Sequence, residues 1–243
     1  MKIFVGYDER EKEAFDTCAY SILTNASKPV EIFKLEQNRL REKGYYTRPG
    51  GEPASTQFAF TRFFVPFLCG YEGLAIFVDC DFVFTDDIVK LFDMYENAQK
   101  LFNALDSESY HLMCCEHDYI PKSKIKMDGQ KQVVYPKKNL ASLMLFNCQK
   151  CDILTLDYLN TASGSNLHRL EWVDESFVGE IPIDWNYLVG EYPKLQYVPK
   201  GLHYTLGGPW FDGYESCDYC DIWYKYNEKA KVYLDTNRIK ECC

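Results

Sequence analysis

Asp79 and Asp81 are the residues of this 243-residue chain whose types and spacing most plainly allow chemistry. They end the apolar run Leu74-Ala-Ile-Phe-Val78, so two carboxylates stand one residue apart where a buried strand would finish. Packing does not explain them, because taking an unpaired Asp out of water is expensive. A divalent cation would offset that cost, and open α/β sheets place ligands beyond the carboxyl ends of their strands. The plain alternative is a strand-to-loop turn at the surface.

The elements that must position this pair follow from periodicity. Lys2–Gly6 reads as a short buried strand, residues 10–26 as a helix with apolar residues at helical spacing, and Val30–Leu35 as an alternating strand. That β-α-β opening is the unit of a parallel sheet. Residues 41–57 carry Gly, Pro and polar groups without a period and read as a long loop of the kind that serves binding. Phe58–Leu68 suggests a buried helix, 87–105 an amphipathic one, and 111–115, 142–147 and 195–199 strands. Residues 116–138 form an irregular basic segment. The chain divides into a main domain over 1–212 and a helical, aromatic-rich tail over 213–243 packed on it.

Composition bounds the function. Lys and Arg total 27 against 36 Asp and Glu, a net charge of -9. That balance argues against a nucleic-acid partner, which calls for a cationic face. No apolar run approaches the ~20 residues of a transmembrane segment. The start MKIFVGYDER has too short an apolar core for an export signal, so a cytoplasmic location with reduced thiols is expected. The spacings Cys148-x-x-Cys151 and Cys217-x-x-Cys220 suit paired zinc ligands, but the two pairs stand too far apart for a zinc ribbon.

Two enzyme classes use Asp-x-Asp in this setting. In a haloacid-dehalogenase-type phosphatase Asp79 would be the nucleophile and Asp81 the acid/base. Such enzymes open with this strand and later supply a Gly-Asp cluster, which this sequence lacks. In the other class the pair grips, through a cation, the diphosphate of a nucleotide sugar. A module that binds nucleotide sugar without turnover is the non-catalytic alternative.

The wider set of motifs resembles the family-8 glycosyltransferases, relatives of glycogenin and lipopolysaccharide galactosyltransferase. The resemblance rests on Ser55 and Arg62-x-x-x-Pro66, Ile76–Asp81, Asp87-Ile88 with Leu91, Leu143–Asn147, Asp174-Glu175, Trp185-Asn186, and His203 followed by Pro209-Trp210. It implies a single-domain α/β fold of the GT-A type, Rossmann-like, with a mainly parallel central sheet flanked by helices. A branch from bacteria and large viruses is implied. So are a nucleotide-sugar donor, UDP-linked, and a hydroxyl of a glycan or protein as acceptor. Asp79, Asp81 and His203 then resemble ligands of Mn²⁺ or Mg²⁺. Gly6, Tyr7 and Asp8 resemble the nucleobase loop, and Arg62 and Cys80 lie with the nucleotide. An ion pair to Asp79 or Asp81 is the structural role open to Arg62. Asp174 and Glu175 resemble the acidic turn beneath the reacting carbon, where helix-start acids are the alternative. The family's Lys before Pro-Trp is missing here. Backbone N–H groups of Gly207 and Gly208 are expected to receive the phosphates instead, or a basic group from Lys122, Lys124, Lys126 or Lys131. Trp185 and Trp210 are expected to shape the sugar pocket, and His117-Asp118-Tyr119 stands where an acceptor would bind.

Overall fold

The computed structural model describes residues 1–49, 54–118 and 140–243. Tyr119, Lys122, Lys124, Lys126 and Lys131 lie outside the described residues. Seven strands build the large sheet: β1 (Lys2–Tyr7), β2 (Glu31–Glu36), β3 (Leu74–Val78), β5 (Leu112–Cys114), β6 (Leu143–Asn147), β7 (Val178–Glu180) and β10 (Ile239–Glu241). Their order is β10-β2-β1-β3-β6-β5-β7. β6 runs antiparallel to both neighbours, and the other pairings are parallel. A second sheet of β4 (Phe82–Phe84), β9 (Gly201–His203) and β8 (Tyr187–Leu188) stands beside it.

The central strands are buried throughout the cores of their runs, Ile3–Val5, Ala75–Val78 and Leu143–Phe146. Continuous apolar runs rather than alternation are what a sheet covered on both faces requires. α1 (Lys12–Asn25) lies between this sheet and α7 (Cys220–Tyr233), where Asn227 donates to Thr17 Oγ1 at 2.9 Å and Tyr226 packs edge-on to Tyr20. After α7 the tail returns and adds β10 to the sheet beside β2, with Ile239 level with Ile32. Residues 239–241 are thus part of the central sheet.

Three expectations need correction. Phe58–Leu68 is not one helix but a 3-10 turn, Thr61–Phe64, followed by the single turn α3 (Val65–Leu68). Pro66 is tolerated only in the first turn of a helix, so the α-helical part has to begin at its doorstep. The loop at 41–57 begins later than expected, because α2 occupies Gln37–Glu42. Leu195–Pro199 is not a strand. Pro193 and Pro199 offer no N–H to a ladder. Leu195 N–H instead donates to Tyr219 Oη at 2.8 Å, and the Pro199 carbonyl accepts from Thr85 Oγ1 at 2.7 Å. The strand of this region is β9, immediately beyond.

β9 is held against the turn Ile183–Trp185 at very close range. A Cβ on Gly201 would stand 2.1 Å from the Trp185 carbonyl oxygen, so only glycine fits. Gly201→Ala is expected to lower stability by about 3 kcal/mol, the upper range for forced overpacking, as read from a denaturant melt.

Candidate functional site

The two sheets meet at the Asp-x-Asp turn. β3 ends at Val78, Asp79 and Asp81 flank Cys80, and β4 begins at Phe82. β4 pairs antiparallel with β9, which sets Phe82 opposite His203. Their rings stack at 4.3 Å, and Tyr204 N–H donates to the Asp81 carbonyl at 2.9 Å. His203 Nε2 then lies 3.3 Å from Asp81 Oδ2. Among the described residues Asp79, Asp81 and His203 form the one group of acids, thiols and imidazoles that could hold a metal, with ligand atoms all within 4.8 Å of one another. Metal–oxygen distances near 2.1 Å put opposite ligands about 4.2 Å apart, so the trio fits a divalent cation after slight closure.

Each member is oriented from behind. Arg62 Nη1 pairs with Asp79 Oδ1 at 3.1 Å and donates to the Ala141 carbonyl at 2.8 Å. Asp79, and not Asp81, is therefore the partner of Arg62. The Asp79 N–H donates to the Ser142 carbonyl. On the other side Asn186 Oδ1 lies 2.8 Å from His203 Nδ1, while Asn186 Nδ2 donates to Ser142 Oγ at 2.9 Å. With the amide N–H given to serine, the amide carbonyl faces the ring and places the hydrogen on Nδ1. Nε2 is left beside Asp81, the arrangement metal-binding imidazoles share. His117 is buried close by, 3.0 Å from Tyr192 Oη through Nδ1, and burial together with the neighbouring His203 pushes it down to about 3.

The first loop is tied more tightly than the sequence suggested. Asp8 is fully buried, and its carboxylate accepts from Arg10 N–H, Nε and Nη2 and from Gln57 N–H at 2.7–3.1 Å. Burial alone would raise its pKa, but those hydrogen bonds win and hold it low. Asp8 therefore braces this loop against residues 55–57, with all four acceptor positions taken. Gly6 lies under the Phe58 ring, 2.6 Å from where a Cβ would be, and Tyr7 packs edge-on to Phe15 with Lys34 Nζ 4.6 Å from its ring.

Other expected residues sit differently. Asp174 and Glu175 are exposed and precede the amino end of β7, with Asp174 Oδ1 capping the turn through Ser176 N–H and Oγ. Phe177 is level with His111, Asn147 and Leu74, whereas Asp79 lies five positions further along the same direction. That is about 16 Å along the strands and about 14 Å across them. The structure does not bring these two acids to the cation trio. The helix-start reading describes Asp174. Gly207 adopts φ 123°, and its N–H is already given to the Tyr204 carbonyl, so it is not left for a phosphate. Gly208 lies under the Trp210 ring, 2.0 Å from where a Cβ would be. Trp185 is core rather than pocket, 2% exposed.

Glu11 is the site residue that sequence reasoning passed over. It is 1% exposed, and its Oε2 accepts from the Cys80 thiol at 3.4 Å, directly behind the Asp-x-Asp turn. Burial, then the charges of Asp81 and Asp8, push its carboxyl up to about 8. Burial likewise raises the Cys80 thiol. In the sequence Glu11 is one charge among many in Asp8-Glu-Arg-Glu-Lys-Glu13, which reads as a solvated helix start.

No family model matches the chain. Among solved structures it is similar to the bifunctional glycosyltransferase WbbM, with TM-score 0.58 and 16% identity over 93% of this chain and 49% of that one. It is similar to the galactosyltransferase LgtC, solved with donor and acceptor sugar analogues, with TM-score 0.56 and 12% identity over 94% and 96%. It is also similar to the glycosyltransferase GlyE of Streptococcus pneumoniae, with TM-score 0.54 and 15% identity over 98% and 64%. The chain thus spans about half of WbbM and under two thirds of GlyE. These likenesses establish the fold, the GT-A arrangement of a mainly parallel sheet between helices. Protein CDI of Arabidopsis thaliana is far nearer in sequence, 42% identical over an alignment 247 positions long that covers 97% of this chain and 90% of that protein. By this match the chain belongs to the family of Protein CDI.

Proposed function

We propose that the protein is a metal-dependent glycosyltransferase that moves a sugar from a nucleotide-diphosphate sugar, UDP-linked, to a hydroxyl of a glycan or protein acceptor. The observation that carries this reading is the convergence of Asp79, Asp81 and His203 where two sheets meet, in a fold shared with glycosyltransferases. Asp79, Asp81 and Nε2 of His203 would hold Mn²⁺ or Mg²⁺, two hard oxygens and an imidazole suiting either. Bound there, the ion would supply positive charge for the departing nucleoside diphosphate.

The chain's own residues do the orienting. Arg62 fixes one carboxylate of the trio from behind, and Asn186, itself fixed by Ser142, turns the imidazole toward Asp81. Asp8 and Arg10 brace the first loop, leaving the Tyr7 ring and the backbone around Gly6 to shape the nucleobase end. The imidazole in the trio favours this reading over a phosphatase, in which Asp79 would have to be released from Arg62 to attack. No acid/base role is assigned to Asp174 or Glu175.

In a thermal-shift screen of nucleotide sugars, the parent is expected to gain several degrees only when Mn²⁺ is present, since ligands that bind the native state raise its apparent stability. Asp81→Asn should lose that gain while melting near the parent without ligand. A parent indifferent to every nucleotide sugar, with and without Mn²⁺, would sink the reading. Transfer of labelled sugar to an acceptor separates an enzyme from a silent binding module. Asn186→Ala, which frees the His203 ring, should weaken Mn²⁺ binding about 10–100-fold in calorimetric titration.

A further inference from the structure

Glu11 has no task in the reading above, yet it is one of the least comfortable groups in the molecule. Its Oε2 is engaged by a thiol, a weak donor, and its Oε1 is buried without any hydrogen-bond partner. Among the described residues no ion pair reaches it, and the charges of Asp81, Asp8 and Asp79 that act on it are all of its own sign. Asp8 is already occupied by Arg10, and Asp79 by Arg62. Buried polar atoms are nearly always satisfied, and an exception calls for a cause such as an ion or its water. A buried acid with an idle oxygen, fastened to the residue between two candidate ligands, points to the cation.

We propose that Glu11 is an outer-shell residue of the cation site, its Oε1 accepting a hydrogen bond from water held by the ion. Glu11 does not belong to the trio whose ligand atoms lie within 4.8 Å of one another, which is why a water stands between. Divalent ions of this kind keep several waters, and outer-shell acceptors of those waters tune affinity nearly as the ligands do. The inference rests on the metal-dependent reading and adds to it a positioning residue on the turn before α1.

The test is calorimetric titration of Mn²⁺ into metal-free parent and Glu11→Gln, together with the melting temperature of each without metal. Binding is expected to weaken about 10-fold, at the low end for loss of an outer-shell partner. The metal-free melting temperature should hold or rise, because the amide keeps the shape and removes an acid that burial disfavours. Glu11→Met, close in volume and without a hydrogen-bonding group, should show the same loss of affinity. Equal affinity in both variants overturns the proposal while leaving the metal-dependent reading intact. So does a loss of affinity matched by a lower metal-free melting temperature, since Glu11 would then serve only the fold. A parent that takes up no Mn²⁺ overturns the metal in both readings.

Discussion

Negative charge gathered in a dry place must be answered, and much of the local architecture follows from that requirement. Asp8, Glu11, Asp79 and Asp81 are drawn toward one turn, and a protein interior does not tolerate such a group without countercharge or hydrogen bonds. Arg10 answers Asp8 and Arg62 answers Asp79, while His203 brings the second sheet up to Asp81 without answering its charge, the ring hydrogen being on Nδ1. Each of these residues comes from a different element, so the cluster binds together the first loop, the turn before α3 and the second sheet. Removing one answer would leave a buried charge exposed to its like-signed neighbours. Breaking a buried pair by deleting one partner is far costlier than the net worth of the pair suggests.

The seam between the sheets is what makes the site possible. β3 belongs to the large sheet and β4 to the small one, so the two carboxylates straddle a boundary between separate packings of side chains. Phe82 and Phe84 pack into the large core, while Val83 faces the smaller one with Leu202 and Tyr204. That alternation is the strand period of two, and it locks β4 in register between both bodies. The His203 side chain from β9 can therefore arrive beside Asp81 although it is more than a hundred positions away in the chain.

How much of this was legible depended on whether a residue's neighbours disclose its direction. Asp79 and Asp81 could be read because an apolar strand running into two acids has few uses. His203 could be read only through its place in an ordered set of motifs. Asp174 and Glu175 were named through motif order, which conveys sequence position but not which end of a strand a residue occupies. β7 runs parallel to β3, and Phe177, just ahead of its first residue, stands level with the amino end of β3. Glu11 was hidden for the opposite reason, its surroundings in sequence being polar while its surroundings in space are not. The alternation in 195–199 imitated a strand, and two prolines decided against it.

The returning tail carries a consequence for how the molecule can be handled. β2 would be the margin of the sheet if the chain stopped after α7, and its row of amide and carbonyl groups would be open to any passing strand. Three residues, Ile239–Glu241, cover that row, aided by Lys240 reaching Glu31 and by Lys34 meeting Glu241. Clipping the chain ahead of them would take Ile239 and Cys242 away from the rim of the core and convert the margin into a template for self-association.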